Sequence, residues 1–271
     1  MVCYIYYPIE SSKTHAFSLM KESAKKFGID LHLKFFDYPI NSLPEVSFIR
    51  GYNFELSEKL EEMGVKVVNS TNSMVLAQNK WLTYSTLKKY EIPQPTTYLI
   101  EGRLEYKDAC QKIGSEIFIL KSVFGSKGEK VWLVKDQVDY NNIISSHQEQ
   151  FIIQKFIEES SGRDIRVWVA GGKVSAAVER RNNSSFRSNI SCGGVAKRVE
   201  MDSELIKIAI DSTNALDLDI AGVDILQSHN GYTVCEVNGN SGFRSALSLG
   251  YNYVVDDMFE FIASCKMPIK V

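Results

Sequence analysis

DILQSHNGYTVCEVN, which spans Asp224 to Asn238, carries the clearest structural signal in this chain of 271 residues. Apolar runs flank the turn-forming residues His229 to Gly231, and this is the pattern of a β-hairpin. We predict a three-residue loop with Gly231 in the left-handed conformation, so that Ser228 pairs with Tyr232. The segment therefore indicates two antiparallel strands joined by a tight turn.

Counting back from that pairing places Asp224 directly opposite Glu236, with Asn238 two residues further along the same face. Two carboxylates about 5 Å apart repel each other by roughly 3 to 4 kcal/mol at an effective dielectric constant of about 20, and a bound cation removes that cost. Oxygen ligands without histidine or cysteine favour Mg²⁺ or Mn²⁺ over zinc. The alternative is a pair of edge-strand charges that face water. The apolar neighbours Ile225 and Val237 argue against it, because unpaired buried carboxylates are costly.

Composition narrows the class of protein. The 31 Lys and Arg residues against 33 Asp and Glu residues leave a formal net charge of −2, so no field of one sign favours nucleic acid or a membrane. The cysteines are odd in number, show no C-x-x-C spacing, and indicate reduced thiols in the cytoplasm. The apolar run from Val2 to Ile9 is far shorter than the ~20 residues of a membrane span, and no export signal accompanies it. We expect a cytoplasmic protein with a small-molecule or peptide partner, and no single apolar face predicts an oligomeric state.

The order of strand and helix patterns divides the chain into three parts. In residues 1–78, short β-rich runs alternate with amphipathic stretches, which predicts a parallel sheet covered by helices. The β-rich runs are Val2 to Tyr7, Leu31 to Phe36, Val46 to Arg50 and Val65 to Val68, and the amphipathic stretches are Ser12 to Phe27 and Asn53 to Met63. Asn69 to Asn72 offer helix N-cap chemistry, and we predict a helix from Lys80 to Tyr90 that stops before Pro93.

Residues 79–153 and 154–271 form the second and third parts. The second part alternates strands with two helices, Tyr106 to Ile113 and Asp136 to Ile144, and predicts a small α+β lid. The third part has hairpin signals at Gly171-Gly172 and at His229 to Gly231, a helix from Ser203 to Leu216 and a last helix from Val254 to Cys265.

Lys121 is a candidate phosphate-binding residue. It ends an apolar strand and precedes the loop Ser122 to Gly128, whose backbone N–H groups would fold over phosphates while the lysine supplies a point charge. The loop does not match the G-x-x-x-x-G-K-[ST] pattern, and a plain Gly-rich hairpin is the alternative.

Two further segments carry polar groups suited to a nucleotide. Gln154 to Ile157 would form an interdomain hinge whose backbone bonds an adenine edge, with Asp164 on ribose hydroxyls; an ordinary strand and loop is the alternative. Glu179 to Asn189 concentrates three guanidinium groups that suit carboxylate and phosphate oxygens. A solvated charged loop, or as a minor option a nucleic-acid contact, is the alternative there. The later Gly193-Gly194 pair predicts a loop that approaches a neighbour closely.

Taken in order, these segments resemble the RimK-type branch of the ATP-grasp ligases, and the resemblance covers roughly residues 65 to 265. The matching segments are Lys80, Lys121 with the Gly125 to Gly128 loop, Gln154 to Ile157, Gly162 to Arg166, Glu179 to Arg181, Phe186 to Asn189, Ala221 to Asp224 and Glu236 to Asn238. The resemblance implies a fold of mixed α/β and α+β class. An N-terminal parallel-sheet domain would precede a small lid and a C-terminal antiparallel-sheet domain, and ATP would lie between two antiparallel sheets.

The resemblance also implies roles for individual residues. The phosphate and nucleotide contacts would come from Lys80, Lys121, the hinge residues Gln154, Lys155, Phe156 and Ile157, the ribose ligand Asp164, and Arg187, Ser188 and Asn189 at the triphosphate. The ligands of Mg²⁺ or Mn²⁺ would be Asp224, Glu236 and Asn238. Arg187 would stabilise the reaction intermediate, and Arg166 and Arg180 would orient carboxylates.

The implied activity is that of an ATP- and magnesium-dependent ligase. The carboxylate of a small-molecule, peptide or protein acceptor would be activated as an acyl phosphate. It would then be joined to the amine of an amino acid, for example glutamate. The alternatives are a small-molecule kinase on the same fold and a nucleotide-binding regulatory module without turnover. Two departures stand out. The family usually has an acidic residue where Lys155 stands, and a Pro-Gly pair after its E-x-N, whereas here Asn238 is followed by the run Gly239 to Phe243.

Overall fold

The described part of the chain contains three β-sheets. The structure of the protein, a computed structural model, describes residues 1–8, 14–125, 129–190 and 193–265. The predicted helix start at Ser12, the loop residues Ser126 to Gly128, and Cys192 lie outside the described residues. Cys3, Cys110, Cys235 and Cys265 are free thiols. Within the described ranges, no helix is both long enough and apolar enough to cross a membrane.

The N-terminal sheet is parallel, as predicted. Its four strands run in the spatial order β2-β1-β3-β4. The elements are β1 (Val2–Tyr7), α1 (Thr14–Lys26), β2 (Asp30–Phe35), β3 (Val46–Ile49), α2 (Phe54–Glu62) and β4 (Lys66–Val68). Because each strand is followed by a helix or a crossover, the carboxyl ends of β1 and β3 meet at one edge of the sheet.

Two short helices connect this sheet to the lid, where sequence analysis predicted one. They are α3 (Thr71–Gln78) and α4 (Lys80–Lys89). The Ser70 side chain accepts from the Ser73 N–H and caps α3, and Asn79 leaves helical geometry and caps α4 through the Trp81 and Leu82 N–H groups. The N-cap chemistry was therefore recognised, but the helix that begins there was missed.

The lid is a second, antiparallel sheet with its own core. Its strand order is β5-β8-β6-β7, and its elements are β5 (Thr97–Leu99), α5 (Tyr106–Ile113), β6 (Phe118–Ser122), β7 (Val131–Val134), α6 (Gln137–Ser146) and β8 (Phe151–Lys155). Phe118, Leu120 and Tyr140 belong to a hydrophobic cluster that contains lid residues only. Strand β8 crosses the boundary that we predicted between residues 153 and 154, and the three-domain division stays a prediction.

The C-terminal sheet is antiparallel, with the strand order β11-β10-β9-β12-β13. After a 3-10 turn (Glu158–Ser160), its elements are β9 (Arg163–Ala170), β10 (Lys173–Arg181), β11 (Val195–Arg198), α7 (Ser203–Ala215), β12 (Ile220–Ser228), β13 (Gly231–Asn238), α8 (Arg244–Leu247) and α9 (Tyr253–Ser264). The β9–β10 turn falls at Gly171-Gly172, as predicted.

The two faces of this sheet have different coverings. One face packs Ile165, Val223 and Ile225 against α7. At one end of the other face, Trp168 and Val178 share a core with the N-terminal sheet and α9. The remaining end of that face carries polar side chains, and the lid lies opposite them.

Asn69, directly after β4, joins the N-terminal sheet to β12 and to the loop after β13. Its Oδ1 accepts from the Ile220 N–H at 2.7 Å, and its Nδ2 donates to the Ile220 and Gly239 carbonyls at 2.8 Å each. The side chain is buried. Because all its hydrogen-bonding groups are used internally, Asn69 fixes the start of the loop that follows Asn238.

Candidate active site

A cleft separates the lid sheet from the polar end of the C-terminal sheet, with an empty volume of about 870 Å³ that includes solvent at its mouth. Most of the side chains proposed from sequence line it. These are Lys80, Lys121, Gln154, Lys155, Phe156, Ile157, Asp164, Arg187, Ser188, Asn189, Asp224 and Glu236. Arg166, Arg180 and Asn238 are outside the lining and lie beneath or beside it.

Asp224 and Glu236 are opposite each other in the β12–β13 register, as predicted, but the route to that pairing differs. The turn contains two residues, and Ser228 pairs with Gly231, so the predicted three-residue loop is wrong. A β-bulge between Val234 and Glu236 holds the extra residue, Cys235. The bulge shifts the register by one, which returns Glu236 to the face of Asp224.

Asp224 is buried and its charge is balanced by two guanidinium groups. Arg166, its partner on β9, donates from Nε and Nη2 at 2.6 Å each, and Arg180 Nη2 lies 3.1 Å from Oδ2. Arg180 also binds both oxygens of Asp164. Burial raises the pKa of Asp224, but the two arginines outweigh it and hold the pKa below its usual range. We expected a bound cation to offset the repulsion between Asp224 and Glu236; for Asp224, two arginines already supply positive charge.

The donor set nevertheless fits a magnesium ion. Asn238 Nδ2 lies 3.4 Å from Asp224 Oδ2, and a half-turn of that amide would present its oxygen instead. The arginines use three of the roughly four lone-pair directions of Asp224. Among the described residues, no group of three His, Cys, Asp or Glu side chains is placed to hold a metal. An ion here would rest on two carboxylates and one amide and would need water or phosphate oxygens, as Mg²⁺ commonly does.

Two lysines bring positive charge to the cleft. Lys121 is buried at the end of β6, and its Nζ lies 3.5 Å from Cys235 Sγ. Lys80 Nζ donates to the Gly125 carbonyl at 3.0 Å. Burial lowers the pKa of Lys80; Glu236 opposes this, and the Lys121 charge adds to it. Burial raises the pKa of Cys235 despite Lys121, so the thiol stays neutral and the lysine charge is left for an anion.

The first hinge residues, Gln154 and Lys155, are held within the lid by backbone and amide contacts to the start of β5. Gln154 Nε2 donates to Thr97 Oγ1 at 2.9 Å, and the Lys155 N–H donates to the Thr96 carbonyl at 2.8 Å. Since that N–H is occupied, an adenine contact by Lys155 would use its carbonyl. Lys155, which stands where the family usually has an acidic residue, is exposed at the end of β8 and lines the cleft.

Two glycines allow close backbone packing around the loop that carries Arg187, Ser188 and Asn189. A Cβ on Gly162 would lie 2.3 Å from the Asn182 carbonyl, and a Cβ on Gly194 would lie 2.2 Å from the Ser188 carbonyl. The close approach predicted for Gly193-Gly194 is therefore to the loop's own backbone. Arg187 Nη2 donates to the Val131 carbonyl of β7, which links this loop to the lid.

Sequence reasoning missed Cys235, which lines the cleft, and Arg50, which lies outside the lining but contacts the loop that follows Asn238. Cys235 becomes adjacent to Lys121 only through the bulge, and no pattern in a single strand reports that. Arg50 directly follows the buried strand β3, and its Nη2 lies 2.9 Å from the Ser241 carbonyl. A charged residue at the carboxyl end of a parallel strand is a signal that could have identified it.

A parallel N-terminal sheet followed in sequence by two antiparallel sheets, with a cleft between the latter two, defines the ATP-grasp class of fold. The structure matches an ATP-grasp RimK domain protein from Sphaerobacter thermophilus with a TM-score of 0.76, over 96% of this chain and 99% of that chain, at 19% identity. It matches a D-alanine–D-alanine ligase from Bacillus anthracis with a TM-score of 0.75, over 98% of both chains, at 15% identity. The protein belongs to the RimK-like ATP-grasp family, whose domain profile matches residues 77–258.

Three relatives illustrate the sequence likeness. A probable alpha-L-glutamate ligase from Parasynechococcus marenigrum is 34% identical over 74% of this chain. One from Syntrophotalea carbinolica is 33% identical over 81% of this chain, and N-acetylaspartylglutamate synthase A from Mus musculus is 29% identical over 80%. The chain spans 43%, 74% and 60% of those proteins respectively, so it corresponds to only part of the first and third.

Proposed function

We propose that the protein is an ATP- and magnesium-dependent carboxylate–amine ligase that forms an amide bond through an acyl phosphate. One observation carries the proposal: Asp224, Glu236 and Asn238 meet on one face of the sheet, at a cleft that two lysines also enter. The oxygen donors suit a magnesium ion, and the ion and the lysine charges together suit the phosphates of a nucleotide. Membership of the family supports the same reading.

Bound magnesium would neutralise charge on the transferring phosphoryl group, and Asp224, Glu236 and Asn238 would hold it. The chain's own cations do the rest of the electrostatic work in this proposal. Lys80 and Lys121 would bind phosphate oxygens, and Arg187 would stabilise the charge that develops on the acyl phosphate. All three side chains line the cleft, and contacts to Gly125, Cys235 and Val131 fix their orientation.

We assign Arg166 and Arg180 a positioning role in this proposal. Both hold Asp224, and Arg180 is only 3% exposed, so their contacts favour orientation of the Asp224 carboxylate over direct contact with a substrate carboxylate. Asp164 would share its oxygens between Arg180 and a ribose hydroxyl. Gln154 to Ile157 would bind the adenine edge.

The proposed substrates are an amino acid, for example glutamate, that supplies the amine, and a carboxylate acceptor. The names of the relatives support glutamate as the amine. The acceptor would be a small molecule such as N-acetylaspartate, a peptide or a protein tail. A cytoplasmic location is part of the proposal, and the free thiols support it.

The test is a screen for ADP release from Mg-ATP over pairs of amino acids and carboxylate acceptors, including N-acetylaspartate and peptides that end in glutamate. Hydroxylamine serves as a second, generic amine, because it converts an acyl phosphate into a hydroxamate. The proposal expects ADP release that depends on the acceptor, and a product mass equal to the two substrates less one water.

Two results would contradict it. ADP formed together with a stable phosphorylated acceptor, and no hydroxamate, would indicate a small-molecule kinase. Tight binding of Mg-ATP without ADP from any pair would indicate a regulatory module.

A further inference from the structure

Arg50 has a positive charge without a carboxylate partner; it lies outside the cleft lining and contacts the loop that follows the proposed metal ligand Asn238. Its Nη2 donates to the Ser241 carbonyl at 2.9 Å, and its guanidinium lies 5.3 Å from the Phe48 ring centroid and 5.8 Å from that of Phe243. Its Nε is buried and contacts no acceptor in the described part of the chain. These contacts hold the guanidinium in one orientation with a donor to spare.

Across the described ranges, no carboxylate lies within 4.0 Å of a nitrogen of Arg50. Among the other guanidiniums around the cleft, Arg163, Arg166 and Arg180 are each paired with Asp or Glu. Arg187, already proposed to act on the acyl phosphate, resembles Arg50 in having a carbonyl partner and a buried Nε without an acceptor. Partial burial of a cation without a counter-charge lowers the stability of the fold, and a bound anion would offset that cost. Arg50 is therefore built to receive an anionic group.

The geometry places that group next to the proposed metal ligands. Ser241, which accepts from Arg50, packs over Gly222, where a Cβ would lie 2.2 Å from Ser241 Oγ. Gly222 is in turn the register partner of Asn238. Tyr52 is a second link between Arg50 and the proposed metal ligands. Burial and the charge of Glu236 raise the pKa of Tyr52, and the charge of Arg50 lowers it, so both charges act on its hydroxyl.

We propose that Arg50 binds an unreacted carboxylate of the amino acid that supplies the amine, and this inference rests on the proposed ligase function. The carboxylate that becomes an acyl phosphate belongs with the phosphate-binding lysines, which contact Gly125 and Cys235. A carboxylate that keeps its charge through the reaction needs a separate cation that spans two oxygens, and a guanidinium meets that need. Arg50 approaches from the N-terminal sheet, so this sheet sets amine specificity.

The test measures discrimination between an amino acid and its amides. With L-glutamate, L-glutamine and L-isoglutamine as amines, the wild-type protein should prefer glutamate over one of the two amides by about 100-fold in kcat/KM, the size of one charged hydrogen-bond pair. In Arg50→Gln, kcat/KM for glutamate should fall by about 100-fold while the value for that amide changes little. The preference should therefore disappear, with KM for ATP unchanged within about twofold.

Arg198→Gln is a matched control. Arg198 Nη2 donates to the Leu249 carbonyl at 3.0 Å and its guanidinium lies 5.1 Å from the Tyr251 ring, so its contacts copy those of Arg50 away from the cleft. This variant should keep the full preference for glutamate. Arg50→Lys retains the charge and should recover part of the preference even if Arg50→Gln folds poorly.

Three results would overturn the inference. Equal losses for glutamate and both amides in Arg50→Gln would show that Arg50 only holds the loop at Ser241. A changed preference between an acceptor and its amide would assign the carboxylate to the other substrate. Absence of product from the wild-type protein with every amine would overturn the proposed function itself, and the inference with it.

Discussion

Arg166 holds both carboxylate oxygens of Asp224, with Nε–Oδ1 and Nη2–Oδ2 distances of 2.6 Å each. The contact follows from the register of β9 and β12, which places the two residues side by side. The charge of Asp224 is thus compensated within the sheet, and its orientation is set before any ligand arrives.

Loss of Arg166 should destabilise the protein. Arg166→Met leaves Asp224 buried with Arg180 as its remaining cation, and we expect the free energy of unfolding to fall by about 3 kcal/mol. Urea denaturation measures the change. Lys207→Met is the control, because Lys207 pairs with Asp211 on the exposed face of α7, where about 0.5 kcal/mol or less is at stake. A loss as small as that of the control would show that Arg180 alone is sufficient.

Acid should weaken the protein partly through Glu179. Burial raises the pKa of Glu179, but Arg181 and Arg163 outweigh it and the folded-state pKa is lowered. A lowered carboxyl pKa contributes stability above the unfolded value of about 4.3, and that contribution is lost as pH falls through the folded pKa. Between pH 6 and pH 3, unfolding free energies should therefore fall less steeply in Glu179→Gln than in the wild-type protein. Parallel curves for the two proteins would exclude this role.

Glu236→Gln should stop turnover and spare the fold. The change keeps the shape of the side chain but removes one of two anionic oxygen ligands, so ADP release should drop by at least about 100-fold. The thermal midpoint should stay close to that of the wild-type protein, because Glu236 is half-buried and outside the hydrophobic cores. Glu204→Gln, on the exposed side of α7, should leave ADP release unchanged. Full activity in Glu236→Gln would remove this residue from the metal site.

The packing of Ser241 over Gly222 predicts a compensating pair of substitutions. In Gly222→Ala, the new Cβ would lie 2.2 Å from Ser241 Oγ and 2.6 Å from Ser241 Cβ, which should cost about 1 to 3 kcal/mol of unfolding free energy. Gly222→Ala combined with Ser241→Gly removes both clashes and should restore most of the loss. Ser241→Gly alone is the control, and denaturation curves decide. A double variant no more stable than Gly222→Ala would show that the strain lies elsewhere.

Local patterns predicted much of this protein. The bounds of α5, Tyr106–Ile113, agree with the prediction, because an amphipathic stretch ends at Gly114, whose φ of 76° stops the helix. The parallel sheet followed from alternating elements in the same way. Helix α3, which has eight residues like α5, was missed because its apolar residues show weak helical periodicity, so only its N-cap was visible.

The site was less predictable where it depends on strands that are distant in sequence. Asp224 was predicted to face Glu236 from one hairpin, where the assumed three-residue loop offset the missed bulge. The contact of Asp224 with Arg166 joins residues 58 positions apart. The roles assigned to the nucleotide and metal ligands stay predictions. Arg50 was overlooked for the same reason, since its contact with Ser241 spans 191 positions.

Because of the bulge at Cys235, the number of residues in the hairpin decides whether Glu236 lies on the same face as Asp224. Asp224 lies four positions before Ser228, whereas Glu236 lies five positions after its partner Gly231. Under regular pairing, that odd offset would turn Glu236 to the opposite face, among the side chains packed on α7. A homologue that lacks the extra residue would need no bulge, because its glutamate would reach Asp224 by plain alternation. Insertions and deletions of a single residue in this strand should therefore be tolerated only when they add or remove a bulge.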